Sequence, residues 1–573
     1  MVQKTGQGVI CFISNYSWLD GLSYTGMRER YLEVFDHIWI DCLNGDKYKT
    51  GKLTPDGQPD PSVFSTEFNR EGIQVGTAVA LMVRRSPSHG TDHVRFRHIW
   101  GKTKRADLLA SAGNDSVSLY DEIHPSLELG LPFFETKVGS SYLEWPTIEE
   151  LFPVSFPGVK TSRDDLVTDI DRDRLRERME TYLDPAISNE EIRRLIPAAM
   201  DTAAGFDAAR TRKVLIKKGF TESQILRFCY RPFDYRWIYC EPETKLLDRG
   251  RPEYVPHVFT GNLWIEARQK QTMDAFDRGY VTNSLADNFG NGLSNFFPMY
   301  LHQKGDLLRE ARSDSNVSDR AQDYLSSLHA SHELLFFHVV AILHSPAYRT
   351  ENQGALRQDW PRIPLPANAK ALEGSAELGR KIATLLDVDC KVKGVSVPPL
   401  PKELQAIAVI ERADKAPLNP DEGDLDLNAG WGHAGKGSAT MPGKGKTIER
   451  PHTLQEAKML AESAAILGEL TLDVYLNDHV YWRNIPARVW DYTISGYAVI
   501  KKWLSYREKG LLGRGLTVDE ARYVTDMGRR IAALMLLGPR LDENYQAAAK
   551  TPHAWGVTGR KHVTPAVKAP NDE

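Results

Sequence analysis

Three short apolar runs fall within the first 84 residues: GVICFIS (8–14), HIWIDCL (37–43) and VGTAVALMVR (75–84). Each has the length and β-branched content of a strand. Between the first two, residues 24–35 put Met27, Tyr31, Val34 and Phe35 on one side of a helix. A polar loop rich in Gly, Pro and Asp (44–61) separates the second run from the third. Strand, helix, strand, loop, strand predicts the end of a doubly wound α/β sheet, with residues 75–84 as its buried central strand.

The remaining sequence changes character in steps. With 573 residues, 41% of them hydrophobic, the chain has room for about three domains. Residues 164–183 and 188–219 are charged and amphipathic, which predicts a helical connector over 156–224. Aromatic and Arg-rich strand-like pieces follow, and with the apolar helix of residues 330–343 they predict a mixed α/β domain over 225–412. Residues 413–449 have the Gly, Pro, Asp and Lys content of a flexible insertion. Helical periodicity at 454–467 and 518–537 predicts a helical part over 450–549, and a frayed tail occupies 550–573.

Several function classes find no support. No run of about eighteen apolar residues and no signal-peptide pattern occurs, so a cytoplasmic location is expected. The five cysteines lack any C-x-x-C spacing, which fits a reducing compartment and argues against structural zinc. His329, His332, His338 and His344 do not make the H-E-x-x-H spacing of a zinc protease, and no metal site is expected. Neither a Walker loop nor a G-x-S-x-G elbow is present. The net charge of −4 disfavours wholesale phosphate binding, but Lys and Arg concentrate between Arg210 and Arg278, where a local nucleic-acid surface would need them.

The order of the N-terminal pieces resembles the later half of the Rossmann-like domain of N6-adenine DNA methyltransferases, in which an Arg-bearing helix follows a strand and a Val-Phe pair precedes the last hairpin. Val63-Phe64 stands at that place. A stronger resemblance lies in FCYRPFDYRWIYCEPETKLLDRGRPEY (228–254), ELLFFHVVAILHSPAYR (333–349), DWPRIPLP (359–366) and ISGYAVIKKWLSYREKG (494–510). Together, in this order, they resemble the specificity region of the single-polypeptide (type ISP) restriction-modification enzymes. Such enzymes fuse nuclease, helicase-like ATPase, methyltransferase and target recognition in one chain. The resemblance implies a C-terminal portion of such an enzyme: a partial methyltransferase domain over 1–155, then a target-recognition domain.

By the same resemblance Phe64 stacks on the flipped adenine, with Phe68 as a second candidate in the loop; the competing assignment makes Phe64 a packing residue. S-adenosylmethionine is the cofactor implied for the complete enzyme. Its Gly-rich loop and the Asn-Pro-Pro-aromatic tetrapeptide are missing from this sequence, and Gly290-Asn291-Gly292 lacks the strand-to-helix context. No catalytic or cofactor-binding residue is therefore assigned, and truncation is the expected cause.

Arg231 and Arg236, in a cluster with Asp234 and Trp237, offer guanidinium forks for guanine edges or phosphates. Equally, they can brace the domain as buried ion pairs. Lys245, Arg249, Arg251, Arg268 and Lys270, with Arg278 beyond, are candidates for following a DNA backbone. Asn283, Asn288, Asn291 and Asn295 suit either adenine edges or turns. Double-stranded DNA is the expected partner, with an upstream methyltransferase/helicase-nuclease polypeptide as a second. Three readings remain open: part of a DNA adenine methyltransferase, a stand-alone specificity subunit pairing with a separate methyltransferase chain, and an inactive remnant.

Overall fold

The computed structural model describes residues 2–111, 119–136, 138–203, 205–269, 279–289, 294–303, 312–435 and 440–556. Their apolar side chains gather into two separate cores, one under the N-terminal sheet and one running from Leu129 to Trp555.

The first apolar runs form strands β1 (Gly8–Asn15), β2 (His37–Asn44) and β3 (Thr77–Arg84), joined by β4 (Val94–His98) and β5 (Asp121–Ile123). Their order is β1-β3-β2-β4-β5. β3 lies antiparallel between β1 and β2, while β2 and β4 run parallel. The helix Thr25–Val34 connects β1 to β2. Its Arg28 is wholly buried, and its guanidinium donates to the carbonyls of Trp18 (2.5 Å), Gly21 (2.9 Å) and Gly130 (2.6 Å).

The sheet departs from the doubly wound expectation in two respects: β3 runs antiparallel to both its neighbours, and the sheet is buried on one face. β3, expected as the central strand, is second from the edge, and only one of its faces is buried: Ala78, Ala80 and Met82 join Ile38, Ile40, Val94 and Phe96 in the core. Leu81 is exposed on the opposite face, as are Val9 (63%) and Ile13 (48%) of β1. Strand alternation is the reason, because the period of two sends Ala78, Ala80 and Met82 inward and Val79, Leu81 and Val83 to the opposite face.

The second core is built from three four-stranded sheets and packed helices. Strands β6 (Phe156–Pro157), β7 (Thr168–Asp169), β8 (Ile225–Arg231), β9 (Asp234–Tyr239), β10 (Trp264–Ala267), β11 (Val281–Thr282), β12 (Leu285–Ala286) and β13 (Asn295–Pro298) make two of them, ordered β12-β8-β9-β7 and β11-β10-β13-β6. The segment expected as a connector contributes helices Arg172–Leu183, Asn189–Leu195 and Ala208–Lys218. Their Leu175, Met179, Tyr182, Ile192 and Leu215 are buried in this same core, and β7 pairs with β9. These residues are thus integral to the domain that follows them.

The apolar helix His332–His344 packs on Ala369–Leu386. A Cβ at Gly379 would lie 1.8 Å from the Phe337 carbonyl oxygen, so this close crossing requires glycine. His338 is buried between Ser375 Oγ (2.7 Å) and the Pro364 carbonyl (2.9 Å), and burial lowers its pKa to about 4. It is a neutral packing residue.

Residues 413–449, expected as a flexible insertion, are folded over the parts described. Val409–Arg412 and Thr447–Pro451 are the two outer strands of the third sheet, whose order is completed by Val480–Pro486 and Leu470–Tyr475. Trp431 organises the segment: it is fully buried, donates Nε1–H to the Tyr475 carbonyl (2.8 Å) and meets Trp490 edge-on. One of the glycines that suggested flexibility lies against this indole. Gly445 takes φ +68° and leaves no room for a Cβ, which would fall 2.2 Å from the ring. The tail beyond residue 556 lies outside the described residues. Among those described, no single helix is long and apolar enough to cross a membrane, and no group of three or more His, Cys, Asp or Glu is placed to hold a metal.

Candidate nucleic-acid interface

The Arg-Pro-Phe-Asp-Tyr-Arg-Trp segment folds as the β8–β9 hairpin, turning at Phe233 with φ +62°. Its charged side chains point inward. Arg231 Nη1 pairs with Asp287 Oδ1 at 2.6 Å, and its guanidinium lies over the Tyr230 ring at 4.1 Å. Arg236 pairs with Asp234 (3.0 Å) and is sandwiched between Tyr230 (3.7 Å) and Tyr506 (4.3 Å). The other carboxylate oxygen of Asp234 accepts from Arg507 at 2.8 Å. Arg268 is equally enclosed, paired with Glu266 (2.8 Å) and donating to the Ser495 carbonyl (3.0 Å).

Electrostatics keeps this network ionised. Burial pushes the Asp234 carboxyl up, but Arg236 and Arg507 overcome it and hold the group at about 2. At Asp287 burial prevails over the attraction of Arg231, raising the pKa to about 6. Buried charges of this kind are tolerated only when paired, and tyrosine faces supply further cation–π attraction. Arg231, Arg236 and Arg268, candidates for DNA contact from sequence, therefore occupy the bracing position, because each carboxylate partner lies inside the fold.

The cations that face solvent lie on the next loop. Residues 242–253 surround a concavity of about 470 Å³ lined in part by Lys245, Asp248, Arg249 and Arg251. Lys245 and Arg249 are exposed, whereas Arg251 is half-buried and donates Nε–H to the Gly158 carbonyl at 3.3 Å. The loop is tied to an earlier segment: Lys160 and Arg249 exchange backbone hydrogen bonds (3.0 and 2.9 Å), and Arg163 Nε–H donates to the Leu246 carbonyl (3.0 Å). This brings in Lys160, exposed and bonded to Asp248 at 2.7 Å, a cation that sequence spacing did not single out. Only its pairing across 88 positions reveals it.

Lys270, Arg278 and Asn291 lie outside the described residues, as does Gly290-Asn291-Gly292. Asn283 is half-buried and accepts from Ser284 Oγ (2.9 Å), as a turn residue does. Asn288 and Asn295 are also half-buried.

The N-terminal unit presents a second exposed feature, the loop between β2 and β3. Phe64 is 42% exposed and Phe68 fully so. Neither is enclosed by the core. The base of the loop is fixed by Asp60, which is wholly buried, accepts from the backbone N–H groups of Gly45 and Gly101 (2.7 Å each) and pairs with buried Lys104 at 2.7 Å.

Residues 150–533 match the family described as the Type ISP C-terminal specificity domain. The chain belongs to this family. Among solved structures, the specificity chain is similar to the ATP-dependent Type ISP restriction-modification enzyme LlaBIII bound to DNA, with TM-score 0.59 and 18% identity over 94% of this chain and 33% of that one. A nuclease-deletion mutant of the Type ISP enzyme LlaGI, in complex with a DNA substrate mimic, gives TM-score 0.58 and 18% identity, covering 94% of this chain and 46% of that one. The DrdV–DNA complex gives TM-score 0.58 and 18% identity, covering 95% and 50%. At this identity the likeness establishes a shared fold. The specificity chain spans between a third and a half of the length of these enzymes. No curated protein matches it.

Proposed function

We propose that the chain is the DNA target-recognition part of an adenine-N6 methyltransferase of a restriction-modification system, acting in the cytoplasm on double-stranded DNA. The family assignment carries this reading, and the solvent-facing group Lys160, Lys245 and Arg249 gives it a surface. Exposed cations attract phosphate without sequence preference, while base contacts supply specificity.

Of residues 1–155, those forming the β1–β5 sheet and its core are assigned to the methyltransferase domain, whereas Tyr142, Trp145, Ile148 and Phe152 pack in the larger core. The supporting observation is connectivity: β1, an Arg-bearing helix, β2, a loop carrying Val63-Phe64, then β3. Phe64 keeps its role of stacking on the extruded adenine, since its partial exposure leaves the ring accessible. S-adenosylmethionine supplies the methyl group in the complete enzyme. This sequence has neither the Gly-rich strand-to-helix loop nor the Asn-Pro-Pro-aromatic tetrapeptide, so its residues do not fit the cofactor and no step is derived through it.

The outer edge of β1 favours a second polypeptide segment beside it. β1 pairs with β3 alone among the described residues, and Val9 and Ile13 leave an apolar stripe open. A strand laid along this edge would extend the ladder. It can come from the same polypeptide or from a separate methyltransferase/helicase-nuclease subunit.

Binding of the full chain to duplex DNA, followed by fluorescence anisotropy at several salt concentrations, tests the proposal. The expected result is an affinity that falls linearly in log K against log salt. Binding to no duplex at any salt contradicts it. In parallel, the chain alone is expected to transfer no methyl group from S-adenosylmethionine, as scored with a tritiated donor.

A further inference from the structure

We propose that Phe68 is a DNA wedge: it enters the base stack at the gap left by an extruded nucleotide, with Arg70 on the neighbouring phosphate. This rests on the DNA-binding reading above and adds a second aromatic role to the same loop.

The tip of the loop is built to hold Phe68 outward. Thr66 N–H donates to the Asn69 carbonyl (2.9 Å), Asn69 N–H donates back to Thr66 Oγ1 (3.0 Å), and Gly72 N–H donates to Asn69 Oδ1 (3.1 Å). Gly72 has φ +58°, and a Cβ there would lie 2.9 Å from the Ser65 nitrogen, so the return of the loop depends on glycine. Glu67 and Phe68 form the apex of this closed turn. Lower down, Glu71 pairs with Lys47 (3.2 Å), and Asp46 accepts from the backbone of Tyr48 (2.7 Å), Lys49 (2.6 Å) and Gly76 (3.0 Å). The turn is thus ordered without any packing from Phe68, whose relative exposure is 101%.

A phenylalanine held outward on an ordered turn is available to another molecule. A partner protein would need a patch of about 800 Å², and a tip of a few residues does not offer one. A base step needs only one flat apolar side chain, and wedges of this type are a recurrent means of unstacking DNA. Arg70, two positions on, is exposed and makes no ion pair among the described residues, leaving a guanidinium for a phosphate oxygen. Glu67 is also exposed at the apex, so the tip approaches the groove with the ring leading rather than by charge alone. Phe68 lies four positions after Phe64, a reach of at most about 14 Å. One loop can therefore serve the extruded base with Phe64 and the vacated space with Phe68.

The test needs no knowledge of the recognition sequence. The full chain is titrated into two duplexes, one intact and one with a single abasic position flanked by 2-aminopurine. Wild type is expected to prefer the abasic duplex and to quench the fluorophore. Phe68→Ala is expected to lose about tenfold in that preference and to lose the quenching, while Phe68→Trp keeps both. The unfolding midpoint should not move, because the ring touches no core residue. Equal preference in wild type and Phe68→Ala, or no preference in wild type, overturns the wedge while leaving DNA binding intact. Failure of wild type to bind either duplex overturns both readings, and the salt series identifies that case.

Discussion

Asp234 shows how one carboxylate can hold a domain together. It joins Arg236 of its own strand to Arg507, which lies 273 positions away. Asp234→Asn would leave buried Arg236 without a counter-charge and Arg507 with only Glu520 at 4.0 Å, and is expected to cost about 3–5 kcal/mol, measured as a lowered urea midpoint. The pH dependence has a definite sign. The folded carboxyl titrates at about 2, against about 3.9 for an ordinary aspartate. Its stabilisation is therefore present above about 4 and is lost as pH falls through about 2. Asp234→Asn should flatten that acid limb of the stability curve. The residue types of the hairpin were legible in sequence, but the direction of each guanidinium was not. Strand alternation specifies two faces, whereas Asp287 and Arg507, which decide the matter, come from distant segments.

Segment 413–449 illustrates the limit of composition as a guide to elements. Gly, Pro and charge suggested flexibility, but the segment contains one tryptophan, and Gly445 packs directly against that indole. Trp431→Ala should cost about 3–5 kcal/mol and expose residues 413–449 to limited proteolysis that the wild type resists. Unchanged cleavage would show that Trp431 is not the organising contact. The first sheet was more readable because alternation is a local property: strands and helix fell where periodicity put them. The antiparallel insertion of β3 and the one-sided burial were not readable, because strand order is set by pairing between segments.

At the scale of the molecule, two cores divide the work proposed for it. The larger core carries Lys160, Lys245 and Arg249 on loops joined by the Lys160–Arg249 backbone pair and by Arg163, while the smaller carries the Phe64–Phe68 loop on a sheet with an open edge. The family was legible from four ordered segments, whereas the solvent-facing cations emerged only once the fold had separated the buried arginines from the exposed ones. The most direct measurement compares salt-dependent duplex binding by wild type and by the triple variant Lys160→Ala, Lys245→Ala, Arg249→Ala. If these residues meet phosphates, each loss should reduce the slope of log K against log salt by about 1, with no change in the unfolding midpoint. An unchanged slope in the triple variant, or wild-type binding that does not respond to salt, would contradict the account.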